Sequence, residues 1–496
     1  MFKKIFTRQW SFFWSGVGFG VAQIIFMIAK FIQQTEAGKP LVAQPIGVTT
    51  YLGNMFHSLE VFWWGGKTFG LENGLYGSVF KVGTWGPIVG MIVGGFLVAL
   101  AERESRSWAK FSPKMLLTSF VGGILFSYGT RLAGGCTLHH LLGGTALMSV
   151  KSIFVVVMMS VGGLTAFFLM AKAGLAPFFK HQETRSYVSA IKSKNPVDGI
   201  TLDTNYNPWR DPWRWVGLIF LALFLIPGLV NFFRPEAADN FPNAGWVFTG
   251  LVLLSGLVAG FSMAKSGFGT ECALVGIEAG IMLKKDEPKF IGFKVPAITR
   301  TLMKGFIPIQ GVLMAQVLTG AFALLAWTLF GAKLGYQGSF MDKLSWAGLL
   351  GGLFLGAGAV MLVGCEIRSY MRLGLGYTNT LIGFIGFAIG YLPYTLFPEA
   401  HKAFLENTVI VQSDTFSWAQ VFFPNNVGAQ QAFYFVWVLA LAGLLALAIR
   451  TGMRYLSVNA SQLTNQPLED LEAQVHGTVA AVKELKAQAQ GTAAAD

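Results

Sequence analysis

The sequence predicts an all-α integral membrane protein: a polytopic helical bundle with internal repeats and broken or re-entrant helices. Three observations carry that prediction. Of 496 residues, 53% are hydrophobic and only 12% charged, about half the roughly 25% charge of a soluble domain. Many apolar runs exceed the roughly 18 residues that cross a bilayer as a helix. Glycine-rich sequence interrupts these runs next to every one of the three cysteines. The short alternating segments of a membrane β-barrel are absent.

The chain opens MFKKIFTRQW, with Lys3, Lys4 and Arg8 ahead of an apolar run to about Ile32. That run is long, and no small-x-small cleavage pattern follows it. It reads as an uncleaved first membrane helix rather than a signal peptide. Further apolar spans fall near 83–101, 114–149, 152–174, 215–233, 245–263, 305–330, 345–362, 379–396 and 433–449, with shorter pieces near 273–283 and 366–378.

The expected organisation follows. Residues 1–82 hold the first helix and a periplasmic segment whose VFWWGGKTFG stretch is interfacial, and 83–174 form a first cysteine-containing repeat. A cytoplasmic loop covers 175–214, and 215–396 is a second membrane region with Cys272 and Cys365. A periplasmic loop at 397–432, a last helix at 433–454 and a cytoplasmic tail at 455–496 complete the chain.

Orientation comes from Lys and Arg. They cluster at 3–8, 103–114, 180–214, 284–304 and 450–454, while 234–244 and 397–432 are poor in them. The positive-inside rule then places both termini in the cytoplasm. The net charge of +12 is spent on these short loops, so no nucleic-acid partner is expected. In the tail, Leu468, Leu471, Val475, Val479, Val482 and Leu485 recur at spacings of three and four after Pro467. This is an amphipathic helix, for docking, for oligomerisation or for packing on the protein's own cytoplasmic face. It leaves the oligomeric state open.

The chemistry lies in a repeat. GGILFSYGTRLAGGC at 122–136 aligns without a gap on GGLFLGAGAVMLVGC at 351–365. Gly122, Gly123, Gly129, Gly135 and Cys136 match Gly351, Gly352, Gly358, Gly364 and Cys365. A weaker third copy, GLVAGFSMAKSGFGTEC, ends at Cys272. Glycine lets a backbone turn sharply, and unwound backbone in a membrane is tolerated only inside protein or along a polar cavity. Each cysteine is expected to sit near the N-terminus of a second half-helix, where backbone N–H groups favour an anion. A lone membrane cysteine is ordinarily an inert small side chain; three in matching glycine contexts point to a shared pathway.

These motifs resemble the YeeE/YedE family of sulphur-transport membrane proteins, whose members include thiosulfate importers. The resemblance rests on the stretch from Gly122 through RLAGGCTLHHLLGG, on GLVAGFSMAKSGFGTEC, on residues 346–376 and on AERESRS at 101–107, and covers roughly 100–376. It implies a narrow route lined by Cys136, Cys272 and Cys365, along which thiosulfate or a related small sulfur-containing anion passes by transient thiol contacts. It also implies uptake rather than enzymatic turnover. The sequence departs from the family at His139-His140, at Glu271 before Cys272, and at Glu366 and Arg368 after Cys365.

The residues fit that reading. A thiol is a weak donor, and conduction needs several weak sites rather than one strong one. Gly134, Gly135, His139, His140, Glu271, Gly364, Glu366 and Arg368 are the candidate substrate-binding residues beside the three thiols. Glu366 and Arg368 can equally form a local ion pair, because intramembrane charge is costly and seeks a partner. No HExxH, GxxxxGK[ST], dinucleotide or haem-attachment motif occurs, so no metal, ATP or other cofactor is expected. The cysteine spacing contains no CxxC, which argues against a disulfide framework. Two further readings stay open: a membrane thiol or quinone oxidoreductase, and a subunit that delivers sulfur to a cytoplasmic sulfurtransferase-like protein.

Overall fold

The computed structural model describes residues 10–48, 82–101, 110–111, 113–173, 200–201, 208–232, 245–266, 295–335, 343–362, 364–411 and 417–459. Glu271, Cys272, the VFWWGGKTFG stretch and the tail helix at 467–485 lie outside them. The helices are α1 Phe12–Glu36, α2 Val82–Ala101, α3 Pro113–Ala133, a π-helix Leu138–Gly144, α4 Val150–Lys172, α5 Pro212–Phe232, α6 Trp246–Ser266 and α7 Val295–Phe330. They continue with α8 Trp346–Met361, α9 Glu366–Leu375, α10 Thr378–Leu396, α11 Pro398–Asn407, α12 Trp418–Phe422 and α13 Val427–Asn459.

Among the described residues, five helical stretches are long and apolar enough to cross a membrane: Phe12–Glu36, Trp246–Ser266, Ile309–Phe330, Trp346–Leu375 and Val427–Arg450. Thr378–Tyr394 and Pro398–Asn407, meeting at 78°, make a sixth if read as one bent span. The strands present are two or three residues long. The architecture is all-α and multi-pass, as the composition predicts.

Starts and stops follow local chemistry. Ser11 caps α1 by accepting from the Trp14 amide, and Ser345 caps α8 by accepting from Gly348 N at 3.0 Å. Pro113 and Pro398 open α3 and α11, where a missing N–H costs nothing. Gly376 ends α9 with φ 91°, a conformation glycine adopts without strain.

The repeat read in the sequence becomes a physical contact. Helices α3 and α8 pack antiparallel through their glycines. A Cβ on Gly122 would lie 2.5 Å from Leu362 N, and one on Gly358 2.5 Å from Phe126 N. At the other end a Cβ on Gly129 would lie 2.8 Å from Leu355 N, and one on Gly351 would overlap Ala133 N. Small residues let membrane helices approach backbone to backbone. Gly122 matches Gly351 in the repeat, and Gly129 matches Gly358. Gly122 nonetheless packs at Gly358, and Gly129 at Gly351. That reciprocal exchange is the mark of a two-fold relation.

The relation extends outward. Helix α4 lies along α8, and its counterpart α10 lies along α3. A second antiparallel pair repeats the plan: α1 runs against α6, with Trp10 N donating to Lys265 O at 3.1 Å and Lys30 over the Phe248 ring at 5.6 Å. Helix α7 lies on α1 and α2 on α6. The chain is therefore an inverted repeat, α1–α4 against α6–α10. The Cys272 end of the segment read as a weaker third copy lies outside the described residues. The helix before it, α6, is paired with α1, whose own sequence carries no cysteine.

The non-helical segment after α1 is tied down by two buried amides. Gln34 Oε1 accepts from Val42 N at 2.9 Å and Gln23 Oε1 from Ile46 N at 2.6 Å. The apolar run read as one span at 114–149 is also interrupted. Helix α3 ends at Ala133, and seven residues of π-helix precede α4. On one end of the bundle, Leu344–Ser345 pairs antiparallel with Val409–Val411, and Trp346 N donates to Thr408 O. This fastens α11 over that end.

Candidate functional site

Both described cysteines lie where the central helices break. Gly134, with φ 73°, turns the chain out of α3, and Gly135 N still bonds back to Thr130 O at 3.1 Å. Gly135 admits no side chain: its Cβ would lie 2.8 Å from His140 Nε2 and 3.1 Å from His139 Cβ. Cys136 follows, fully buried. Across the two-fold, Gly364 N returns to Ala359 O at 2.9 Å, and Cys365 is the N-cap residue of α9, also fully buried. A Cβ on Gly364 would stand 3.4 Å from the Arg372 guanidinium. Cys136 and Cys365 belong to one continuous buried core.

The two loops meet through Glu366. Its Oε1 accepts from the Tyr370 hydroxyl at 2.9 Å, the Cys136 thiol is a further hydrogen-bond partner, and the Arg131 guanidinium faces it. Glu366 has no solvent exposure. A buried carboxylate needs such partners, since an unpaired one is expensive. The cation facing Glu366 comes from α3, in the other repeat; Arg368, two residues along α9, is itself buried at 3% exposure.

His139 and His140 lie on the π-helix, with ring centroids 6.1 Å apart. His140 Nδ1 and Ser152 Oγ are 3.0 Å apart, and the buried Lys151 ammonium stands near both rings. A π-helix leaves backbone carbonyls that must be satisfied inside a membrane protein, and distant side chains do this. Gln316 Nε2 of α7 donates to Leu141 O at 2.6 Å and to Thr145 Oγ1 at 2.8 Å. From α13, Trp437 Nε1 reaches Thr145 O at 2.9 Å and the Tyr434 hydroxyl reaches Ala146 O at 2.9 Å. At the matching break, Asn379 Nδ2 holds Leu362 O at 3.3 Å. Gln316→Leu is expected to cost about 1–3 kcal/mol, the penalty for stranding buried polar groups. Thermal unfolding of the purified variant in detergent measures it.

The structure thus gathers Gly134, Gly135, Cys136, His139 and His140 at one break and Gly364, Cys365, Glu366 and Arg368 at the other, and joins the two through the Cys136–Glu366 contact. Sequence reasoning missed Arg131, Tyr370 and Lys151. Arg131 had a signal: it is an isolated cation in an apolar run, five residues before Cys136, and intramembrane charge marks function. Among the described residues no group of three His, Cys, Asp or Glu side chains could hold a metal.

Fold and site together define a multi-pass membrane protein built as an inverted repeat, with broken helices meeting at its centre. Such breaks at repeat interfaces are where membrane carriers bind their substrates. Residues 1–165 match the model of the Sulphur transport family, about a third of the chain. The chain is also similar to the Thiosulfate transporter TsuA of Escherichia coli (strain K12), at 36% identity over 88 residues. That match covers 17% of this chain and 25% of the relative, so the aligned stretch spans a quarter of that protein's length. Both matches support the YeeE/YedE resemblance carried by the motifs.

Proposed function

We propose that the protein is a transporter, not an enzyme, for thiosulfate or a related small sulfur-containing anion, which it takes up across the bacterial inner membrane. The anion moves past Cys136, Cys272 and Cys365, and both termini face the cytoplasm. The observation that supports this most directly is the meeting of the two breaks: Cys136 of one repeat touches Glu366, the residue after Cys365 of the other. A thiol held by a carboxylate is a donor already in use, and a passing anion takes the carboxylate's place as its acceptor. A neutral thiol holds a polarizable sulfur anion weakly enough to release it.

Purified protein in proteoliposomes, loaded from outside with radiolabelled thiosulfate, tests the reading. Uptake is expected, with competition by close sulfur or selenium analogues stronger than by sulfate. Unchanged uptake after replacing all three cysteines by alanine would overturn the thiol route. Thiols that cycle to disulfide during turnover would favour the oxidoreductase reading. Delivery to a sulfurtransferase-like partner predicts that deleting residues 460–496 abolishes its capture without lowering liposome uptake.

A further inference from the structure

Helix α11 is exposed apart from half-buried Leu405 and His401, its one buried residue, at 6% exposure. The His401 ring hydrogen-bonds the backbone of Arg131, and its Nε2 is buried without a hydrogen-bonding partner. The ring stands edge-on to Tyr394 at 4.9 Å and 6.1 Å from Tyr128. The Arg131 side chain lies over the same Tyr394 ring at 5.7 Å and over Tyr391 at 5.1 Å. A helix otherwise directed outward thus sends one imidazole into an aromatic-walled corner holding a guanidinium. None of this was needed to explain the cysteine loops, although Arg131 links the corner to Glu366.

A buried ring nitrogen without a partner is unusual in a folded protein, and each such group calls for an explanation. With one nitrogen engaged on a carbonyl, a protonated ring offers the buried Nε2–H as a second, charged donor into the corner. A second positive charge beside Arg131 is unfavourable unless an anion lies between them. Charge-assisted hydrogen bonds to an oxyanion supply that compensation, and the tyrosine walls keep water from competing.

We propose that Arg131 and His401 form a separate subsite for a small oxyanion, roofed by α11, which receives the anion before it reaches Cys136. This rests on the transport reading for its place in the sequence of steps, but not for the binding itself. The carboxylate of Glu366, which also faces Arg131, sets the limit on how tightly the subsite holds: it competes for the same guanidinium.

The test is equilibrium binding of radiolabelled thiosulfate and sulfate to the purified full-length protein, alongside proteoliposome uptake. His401→Ala is expected to weaken thiosulfate binding about tenfold, the loss of one charge-assisted hydrogen bond. In uptake it is expected to raise the half-saturating concentration while leaving the maximal rate within about twofold, an effect on binding rather than on passage. His401→Gln, which keeps a donor near Nε2 without the charge, is expected to fall between wild type and alanine, and it replaces alanine if that variant does not fold. Unchanged affinity and half-saturation in a folded variant would overturn the subsite. Cysteine-dependent uptake indifferent to His401 would remove the subsite and leave the transport reading standing. Anion binding that depends on His401 in a protein showing no uptake would do the reverse.

Discussion

Replacing Cys136 with alanine is expected to lower thiosulfate uptake by about tenfold or more while leaving the fold intact. The two halves of that statement come from different physics. A cysteine packed in a core behaves as a small apolar side chain, and alanine occupies most of its place. Little packing is therefore lost, and Glu366 keeps the Tyr370 hydroxyl and the Arg131 guanidinium as partners. On the proposed thiol route the transport step loses a donor to the moving ion; a net hydrogen bond of about 1–1.5 kcal/mol corresponds to about a tenfold change in rate. Cys136→Ser keeps a hydroxyl donor but loses the polarizable sulfur, and an intermediate rate is expected. Because Cys136 also touches Glu366, Glu366→Gln in the alanine background should add little further loss if the two act as one unit. Initial uptake rates in proteoliposomes, normalised to folded protein, provide the check. An alanine variant that transports normally would mark Cys136 as a packing residue.

Gly351→Val is expected to have the largest effect on folding, leaving little monodisperse protein after extraction. A Cβ at Gly351 would overlap the backbone nitrogen of Ala133 and lie 2.8 Å from Gly129 O. Neither is the flexible end of a side chain. To admit the branched side chain, α3 and α8 must separate, and both cysteine loops depend on that crossing. Overpacking usually costs about 1–3 kcal/mol; here backbone meets backbone, so the upper end or beyond is expected. Gly250→Val in α6 is the matched control, because none of the described residues lies within 4 Å of its added Cβ. Size-exclusion profiles and thermal unfolding of the two variants make the comparison. Equal behaviour would show that the close approach is not needed.

Much of this was legible in the chain itself. Long apolar runs announce spans, and the gapless match of 122–136 with 351–365 located the two breaks. The positions of Gly134, Gly135, Cys136, Gly364 and Cys365 at helix ends followed from glycine chemistry. What was not legible came from groups far away in sequence. The π-helix depends on Gln316, and on Tyr434 and Trp437 from the last described helix. No local pattern in TLHHLLGG predicts it. The pairing of α1 with α6 was hidden for the opposite reason: their sequences share no motif, and only the arrangement of their neighbours relates them. His401 sits in a loop region that reads as polar and external. Its inward aim is set by the sharp bend before Pro398 and by the strand pairing at Val409–Val411.

The self-complementary crossing of α3 and α8 bears on direction of flow. A scaffold related to itself by a two-fold in the membrane looks the same from either side, so its backbone favours neither influx nor efflux. Any rectification must be written in side chains that break the equivalence. Continuing the repeat alignment sets Thr137 against Glu366, His139 against Arg368 and His140 against Ser369. These mismatched pairs, together with the roof that α11 places over one end, are where the two faces of the protein become chemically different.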